Sequence, residues 1–190
     1  MIEIPSDLNP DLVPLAFLLG TWEGAGVSDF PGAEKCNFGQ SVTFSHDGRD
    51  FIEYTSRTWV LDAEGQKVRP LESESGYWRI DKDRKVEIVM VRDQGVVEVW
   101  YGELADQKPQ IDLVTDAVAR TAASGPYSGG KRLYGYVKGD LMWVGEKSTP
   151  EVPLRPYMSA HLKKVVTPDE VAAWAKDLGD LPDDGIAFFK

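Results

Sequence analysis

The residues that could carry chemistry are few, and two of them lie near the end of the chain. The sequence contains two histidines and one cysteine. From Tyr157 onward it predicts a closing β-strand, and side chains alternate between the two faces of a strand. We therefore expect Tyr157, Ser159 and His161 to share one face. If that face lines a barrel, a phenol and an imidazole could point into its cavity, and any chemistry of the chain would depend on this face. The simpler interpretation is a barrel-lining tyrosine and a histidine at the rim.

The remaining candidates give weaker signals. His46 precedes Asp47-Gly48, a strong hairpin signal, and is interpreted as a residue that bonds to the turn backbone. Cys36 stands beside Lys35 and could be a thiolate, but a single cysteine without a histidine or aspartate partner is more often inert. One cysteine also excludes an internal disulfide and a cysteine-based zinc site. We find no Ser/His/Asp arrangement and no cluster with metal-ligand spacing, so no catalytic or metal-binding residues are predicted on this basis.

Length and composition limit the class of protein. The chain has 190 residues, 42% of them hydrophobic, which suits one domain with a full core. Its net charge of −10 disfavours binding to nucleic acids or to anionic membrane surfaces. No apolar run approaches the ~20 residues of a membrane-spanning helix. The N-terminus also lacks the basic and apolar regions of a signal peptide. A cytoplasmic protein is predicted.

Short β-rich runs, separated by turn residues, cover most of the chain. About ten such runs recur at intervals of roughly 8–12 residues, which is typical of antiparallel sandwiches and barrels. Asp47-Gly48 and Lys138-Gly139-Asp140 predict tight hairpins between neighbouring strands. The pattern favours an all-β fold over residues 1–166, a roughly ten-stranded antiparallel up-and-down β-barrel. A short helix within residues 11–19 is expected to plug one end, and residues 125–130 are expected to form a flexible loop.

The last 24 residues have a different pattern. Thr167 and Pro168 predict the N-terminus of a helix, and Val171, Trp174 and Leu178 lie at helical spacing. Residues 167–190 are therefore predicted to be a helical extension that packs on the barrel or on a partner. The apolar stretch 186–189 should pack against this chain or against a second copy, which would make the protein a homodimer.

The stretch Gly20-Thr21-Trp22-Glu23-Gly24-Ala25-Gly26 resembles the Gly-x-Trp-x-Gly-x-Gly motif of the nitrobindins, and it assigns motif positions to Gly20, Trp22, Gly24 and Gly26. Further similar stretches occur in the same order along the chain, at residues 44–49, 74–79, 95–98, 119–121 and 153–162. Nitrobindins are haem-binding β-barrels related in shape to the lipocalins and fatty-acid-binding proteins. The resemblance implies such a barrel, in which family members hold ferric haem, bind nitric oxide and isomerise peroxynitrite to nitrate.

The sequence departs from the family pattern at the haem contacts. The resemblance places Tyr157 at the position of the axial histidine, and His161 follows ~13 Å along the strand at ~3.3 Å per residue. A Tyr-Pro-Thr segment of the family corresponds to Phe30-Pro31-Gly32. A family lysine falls near Gly125.

We favour the interpretation that the chain lacks the axial histidine and therefore holds no haem and is not an enzyme. Its barrel would instead bind another small, apolar ligand. The alternative is a ferric haem b protein that uses Tyr157 or His161 as its ligand, binds nitric oxide and isomerises peroxynitrite. A carrier of fatty acids or similar lipids is a third hypothesis, based on shape alone.

Overall fold

Ten antiparallel strands form a closed barrel in the structure, a computed structural model that describes residues 4–166. The strands are β1 (Gly20–Ser28), β2 (Cys36–Ser45), β3 (Ile52–Leu61), β4 (Lys67–Ile80), β5 (Lys85–Arg92), β6 (Val96–Leu104), β7 (Gln110–Arg120), β8 (Gly129–Val137), β9 (Asp140–Ser148) and β10 (Arg155–Lys164). Each strand pairs with the next along the chain, and β1 closes the barrel on β10. The predicted all-β, up-and-down barrel is confirmed.

The sequence builds this barrel through alternation of apolar and polar residues. In β5 the inward side chains of Val86, Ile88 and Met90 are buried, whereas Glu87 and Val89 between them are exposed. Because each inward residue faces the same core, a register shift of one residue would expose the whole apolar set. Alternation therefore fixes both the fold and the register.

A 3-10 helix, Pro10–Leu18, covers one end of the barrel, here called the closed end. Its residues Leu12, Leu15 and Leu18 are fully buried, and the carbonyl oxygen of Leu18 accepts a hydrogen bond of 2.7 Å from Trp22 Nε1. The predicted N-terminal plug is confirmed. The other end, called the open end, is surrounded by the loops 29–35, 62–66, 93–95, 121–128 and 149–154.

Some strands are longer than the sequence predicted. Gly129 and Gly130, expected in a flexible loop, begin β8. A Cβ atom on Gly130 would lie 2.3 Å from the carbonyl oxygen of Glu146 on β9. Gly130 therefore permits a close approach of two strands. The sequence pattern cannot distinguish a glycine with this role from a glycine in a loop.

The predicted helical extension at 167–190 lies outside the described residues. Its packing and the proposed boundary at residue 166 remain predictions. Within residues 4–166, no helix has the length and apolar character needed to cross a membrane.

The glycine motif lies on β1, where the barrel closes on β10. A Cβ atom on Gly24 would lie 2.1 Å from the carbonyl oxygen of His161, and one on Gly26 would lie 2.1 Å from that of Ser159. Trp22, between them and the plug, is 1% exposed. The glycines thus allow β10 to approach β1, and Trp22 fills the interior.

We predict that Gly24→Ala lowers the free energy of unfolding by about 1–3 kcal/mol, because the added methyl group must push two paired backbones apart. Gly135→Ala is the matched control, since it also lies within a strand and its nearest contact would be Val137 Cγ2 at 3.8 Å. Urea unfolding of both variants checks the prediction. Equal stabilities would show that the β1–β10 contact tolerates a side chain.

Candidate functional site

A β-bulge in β10 decides where the candidate residues point. Pro156 pairs with Glu146 of β9, and Met158 pairs with the neighbouring residue Gly145. Tyr157 is therefore an extra residue of β10 that has no partner on β9. Tyr157 and Met158 are therefore both buried, at 3% and 4% exposure. Beyond the bulge, Ala160 points inward and His161 outward. The expectation that Tyr157 and His161 share a face is wrong, because one extra residue reverses the alternation.

His161 lies on the outside of the barrel. Its side chain is 51% exposed, and its Nε2 lies 2.5 Å from Asp140 Oδ2. Lys163 Nζ approaches the same carboxylate at 3.9 Å. His161 therefore belongs to a surface charge cluster and does not reach the interior.

The other two candidates also lie away from the interior of the open end. His46 follows β2 at the closed end, and its Nδ1 is buried without a hydrogen-bond partner. Cys36 is the half-buried first residue of β2. Burial raises the pKa of the Cys36 thiol, and nearby Arg69 lowers it by less. Cys36 is therefore a thiol and not an activated thiolate.

Tyr157 points into the barrel near its open end. Its ring packs on Gly145, where an added Cβ would come within 2.8 Å of the ring, and Lys147 Nζ lies 4.8 Å from the ring centroid. The hydroxyl is buried without a hydrogen-bond partner. Burial raises the pKa of Tyr157, although the guanidiniums of Arg92 and Arg132 act in the opposite direction. The side chain is therefore a neutral phenol.

Four buried charges occupy the interior next to Tyr157. Arg132 binds Glu74 through both terminal nitrogens, with an Nη1–Oε2 distance of 2.8 Å. Arg92 Nε lies 2.8 Å from Glu98 Oε2 and 3.3 Å from Glu74 Oε1. All four residues are at most 9% exposed. Two carboxylates and two guanidiniums thus form a neutral network, here called the charged core.

Aromatic and amide groups extend the charged core. The Arg132 guanidinium lies 5.2 Å and 5.6 Å from the ring centroids of Trp100 and Trp143. Trp143 Nε1 donates to Gln40 Oε1 at 2.7 Å. Tyr54 donates to Glu74 and Tyr127 donates to Glu98. These partners satisfy polar groups that would otherwise be costly to bury.

Glu74 is the centre of this network. Burial alone would raise its pKa, but Arg132 and Arg92 outweigh that effect and lower the pKa to about 2. Glu74 is therefore ionised at neutral pH and holds two guanidiniums that water cannot reach.

Sequence analysis did not identify the charged core, although a signal was present. Arg92 continues the inward series of Val86, Ile88 and Met90 in β5. Arg132 and Tyr134 are two inward residues of β8 with one outward residue between them. A charged residue at an inward position requires a buried partner. The identity of that partner depends on closure of the barrel, because Glu74 and Arg132 are 58 residues apart.

A cavity of about 400 Å³ opens above the charged core at the open end. It is lined by residues of four loops and the adjoining strand ends: Phe30, Pro31, Gly32, Ala33, Arg92, Gln94, Val96, Gly125, Pro126, Tyr127, Lys147, Thr149, Glu151 and Val152. Residues 30–32 and Gly125, where the sequence departs from the family's haem contacts, lie together in this lining. The departures therefore concern one site.

The comparisons with known proteins agree with this barrel. A family model described as "THAP4-like, heme-binding beta-barrel domain" matches residues 11–164. The chain belongs to this nitrobindin-like family. A Streptomyces griseus protein named "Ferric nitrobindin-like protein" is 86% identical over the full length of both chains.

More distant family members carry other names. A Nocardioides protein named "Peroxynitrite isomerase" is 44% identical over 84% of this chain and 96% of its own. The crystal structure of Rv2717c from M. tuberculosis matches with a TM-score of 0.75 at 27% identity, over 83% of this chain and 99% of that chain. The fold is thus shared across family members whose names differ.

Of the two haem ligands predicted from the sequence, Tyr157 lies inside the barrel and His161 lies outside it. Burial raises the pKa of Tyr157, which opposes the phenolate form in which tyrosine ligates iron. His161 is outside the barrel, and His46 lies at the closed end. Arg92, Lys147 and Tyr127 line the cavity at the open end, and Lys147 Nζ lies 4.8 Å from the centroid of the Tyr157 ring. In the described part of the chain, no group of three or more His, Cys, Asp or Glu side chains could hold a metal ion.

Proposed function

We propose that this member of the nitrobindin family is a small-molecule-binding barrel that does not hold haem through a protein ligand. In this proposal Tyr157 stands where relatives carry the axial histidine, so nitric oxide binding and peroxynitrite isomerisation are both absent. The observation that carries the proposal is the outward position of His161, which leaves no histidine of the described residues on the interior face of β10 beside Tyr157. The acidic chain with a single cysteine suits the reducing cytoplasm.

The cavity at the open end supports binding of a different ligand. Its volume of about 400 Å³ falls in the range of ~300–1,000 Å³ found for small-molecule sites. Phe30, Pro31 and Val152 supply apolar walls, whereas Arg92 and Lys147 supply charge. A ligand with an apolar body suits this lining, which extends the sequence-based expectation of an apolar ligand.

Titration with hemin tests the proposal. We expect the natural protein to show no sharp Soret band and no stoichiometric binding. Tyr157→His tests whether one side chain explains the loss, and Tyr101→His is the control, because Tyr101 is 43% exposed on the outer surface. A sharp band in Tyr157→His alone would locate the loss at residue 157, whereas no band in either variant would locate it in the cavity lining. Tight, stoichiometric haem binding by the natural protein would refute the proposal.

A second candidate function is a ferric haem protein with Tyr157 as the ligand. The unpartnered Tyr157 hydroxyl favours it, because Arg92 and Arg132 both act to lower the pKa of this phenol. His161 is not part of this candidate. Tyrosinate charge-transfer bands that disappear in Tyr157→Phe would support it, together with faster peroxynitrite decay in the presence of the protein. Unchanged peroxynitrite decay would remove it.

A further inference from the structure

Lys147 is the cationic side chain of the cavity lining that lacks a counterion among residues 4–166. It points inward from the open end of β9 and is half-buried. Its Nζ lies 4.3 Å from the centroid of the Phe30 ring and 4.8 Å from that of Tyr157. None of the ion pairs within 4.0 Å among the described residues includes it. Aromatic faces stabilise an ammonium group only partly, so a carboxylate partner would add to its stabilisation.

The neighbouring charges define the charge of the missing partner. Arg92, on the cavity floor, is already neutralised by Glu98 and Glu74. Glu72 and Glu151 are the carboxylates near Lys147 and in the cavity lining, and neither lies within 4.0 Å of Nζ. One uncompensated positive charge beside two more distant negative ones favours a monoanion over a dianion such as phosphate.

Two buried donors without a partner belong to the interior of the barrel near the cavity. The Tyr157 hydroxyl and Arg132 Nε are buried and make no hydrogen bond. Tyr157 is 3% exposed, and so is Arg132. Buried donors without a partner are rare in folded proteins, and each costs about 1–3 kcal/mol. Both donors are closed off from the cavity, whose lining includes neither Tyr157 nor Arg132, so, of the described residues, Lys147 is the cation without an ion-pair partner that a ligand meets there.

About half of the lining is apolar. Phe30, Pro31, Val96, Pro126 and Val152 surround the cavity above Lys147. A bare inorganic anion would leave these surfaces in contact with water, whereas an organic acid would cover them. The volume of about 400 Å³ limits that acid to a short chain or a single ring system.

We propose that the open-end cavity binds a small organic monocarboxylate, with the carboxylate on Lys147 and the apolar body against Phe30 and Val152. This inference rests on the proposed function, because it requires a cavity that is not occupied by haem. It names the ligand class and the residue that selects it.

Isothermal titration of the haem-free protein with octanoate and with octanamide tests this assignment. The two probes have the same chain, and only octanoate carries a charge. We expect octanoate to bind at least tenfold more tightly, because a hydrogen bond between two charged groups is stronger than one between neutral groups, and tenfold corresponds to about 1.4 kcal/mol. Sodium nitrate, an inorganic monoanion, should not compete with octanoate.

The Lys147→Met variant removes the charge and keeps an unbranched side chain between the two rings. Octanoate binding should weaken at least tenfold in this variant, while octanamide binding should change little. Lys131→Met is the matched control, because Lys131 is exposed on the outside of neighbouring strand β8, and its affinities should match those of the natural protein. If Lys147→Met fails to fold, the comparison of the two probes on the natural protein still decides.

Equal affinities for octanoate and octanamide would overturn the inference, as would the absence of octanoate binding. Either result in a protein that also rejects hemin would leave the proposed function intact. Tight haem binding, measured separately in the hemin titration, would refute the proposed function instead. The two failures are therefore distinguishable.

Discussion

Replacement of Glu74 by alanine is expected to lower the free energy of unfolding by about 3–5 kcal/mol, the cost of breaking a buried ion pair from one side. Glu74 pairs with Arg132 and with Arg92, and it accepts a hydrogen bond from Tyr54. Removing its carboxylate leaves the charged core with one negative charge and two positive charges. Neither guanidinium can turn to water, because Arg132 is 3% exposed and Arg92 8% exposed.

The control for this variant is Glu103→Ala. Glu103 forms an ion pair of similar length with Lys85, at 2.5 Å, but both side chains are more than half exposed. Exposed pairs contribute little because water and salt screen them. Guanidinium chloride is a salt, so urea unfolding is the appropriate measurement. If Glu74→Ala and Glu103→Ala are equally stable, the charged core does not stabilise the barrel in the way described.

The barrel could be predicted from the sequence because its signals are local. Alternating apolar residues define each strand, and turns such as Asp47-Gly48 define the hairpins. The leucines of residues 10–18 likewise predict a plug, which packs on Trp22. Such features depend on residues that are close in the chain, so they can be predicted without knowledge of the closed fold.

The orientation of His161 could not be predicted in the same way. One extra residue at the bulge between Pro156 and Met158 puts Tyr157 inside and His161 outside. Pro156 was the available signal, because proline within a strand occurs at edges or bulges. It does not tell which following residue is the extra one, so the pattern alone could not assign faces to Tyr157 and His161.

The site at the open end depends on contacts between distant segments. Phe30, Lys147 and Tyr157 come from a loop and two strands that meet only when β10 pairs with β1 and β9. In the sequence, no feature distinguishes Lys147 from the other charged residues of its strand. Its special property is the lack of a counterion, which is visible only in three dimensions.

The pH dependence of stability offers a second test of the charged core. The pKa of Glu74 is about 2 in the folded protein, against an ordinary value of 4.5. A carboxyl group with a lowered pKa stabilises the fold fully above its unfolded pKa, and this contribution is lost as the pH falls towards the folded pKa. The loss should therefore occur between about pH 4.5 and pH 2, with a size on the order of 3 kcal/mol.

Comparison with Glu74→Gln isolates this contribution from that of the other carboxyl groups. Glutamine has nearly the same shape and cannot ionise, so the variant lacks only the charge of Glu74. We expect the difference in unfolding free energy between the natural protein and Glu74→Gln to be constant near neutral pH and to shrink below about pH 4.5, as Glu74 itself becomes neutral. Urea unfolding at a series of pH values from neutral to acidic measures that difference. A difference that stays constant down to the lowest pH would mean that Glu74 does not titrate in this range, and the two arginines would then not be held by its charge.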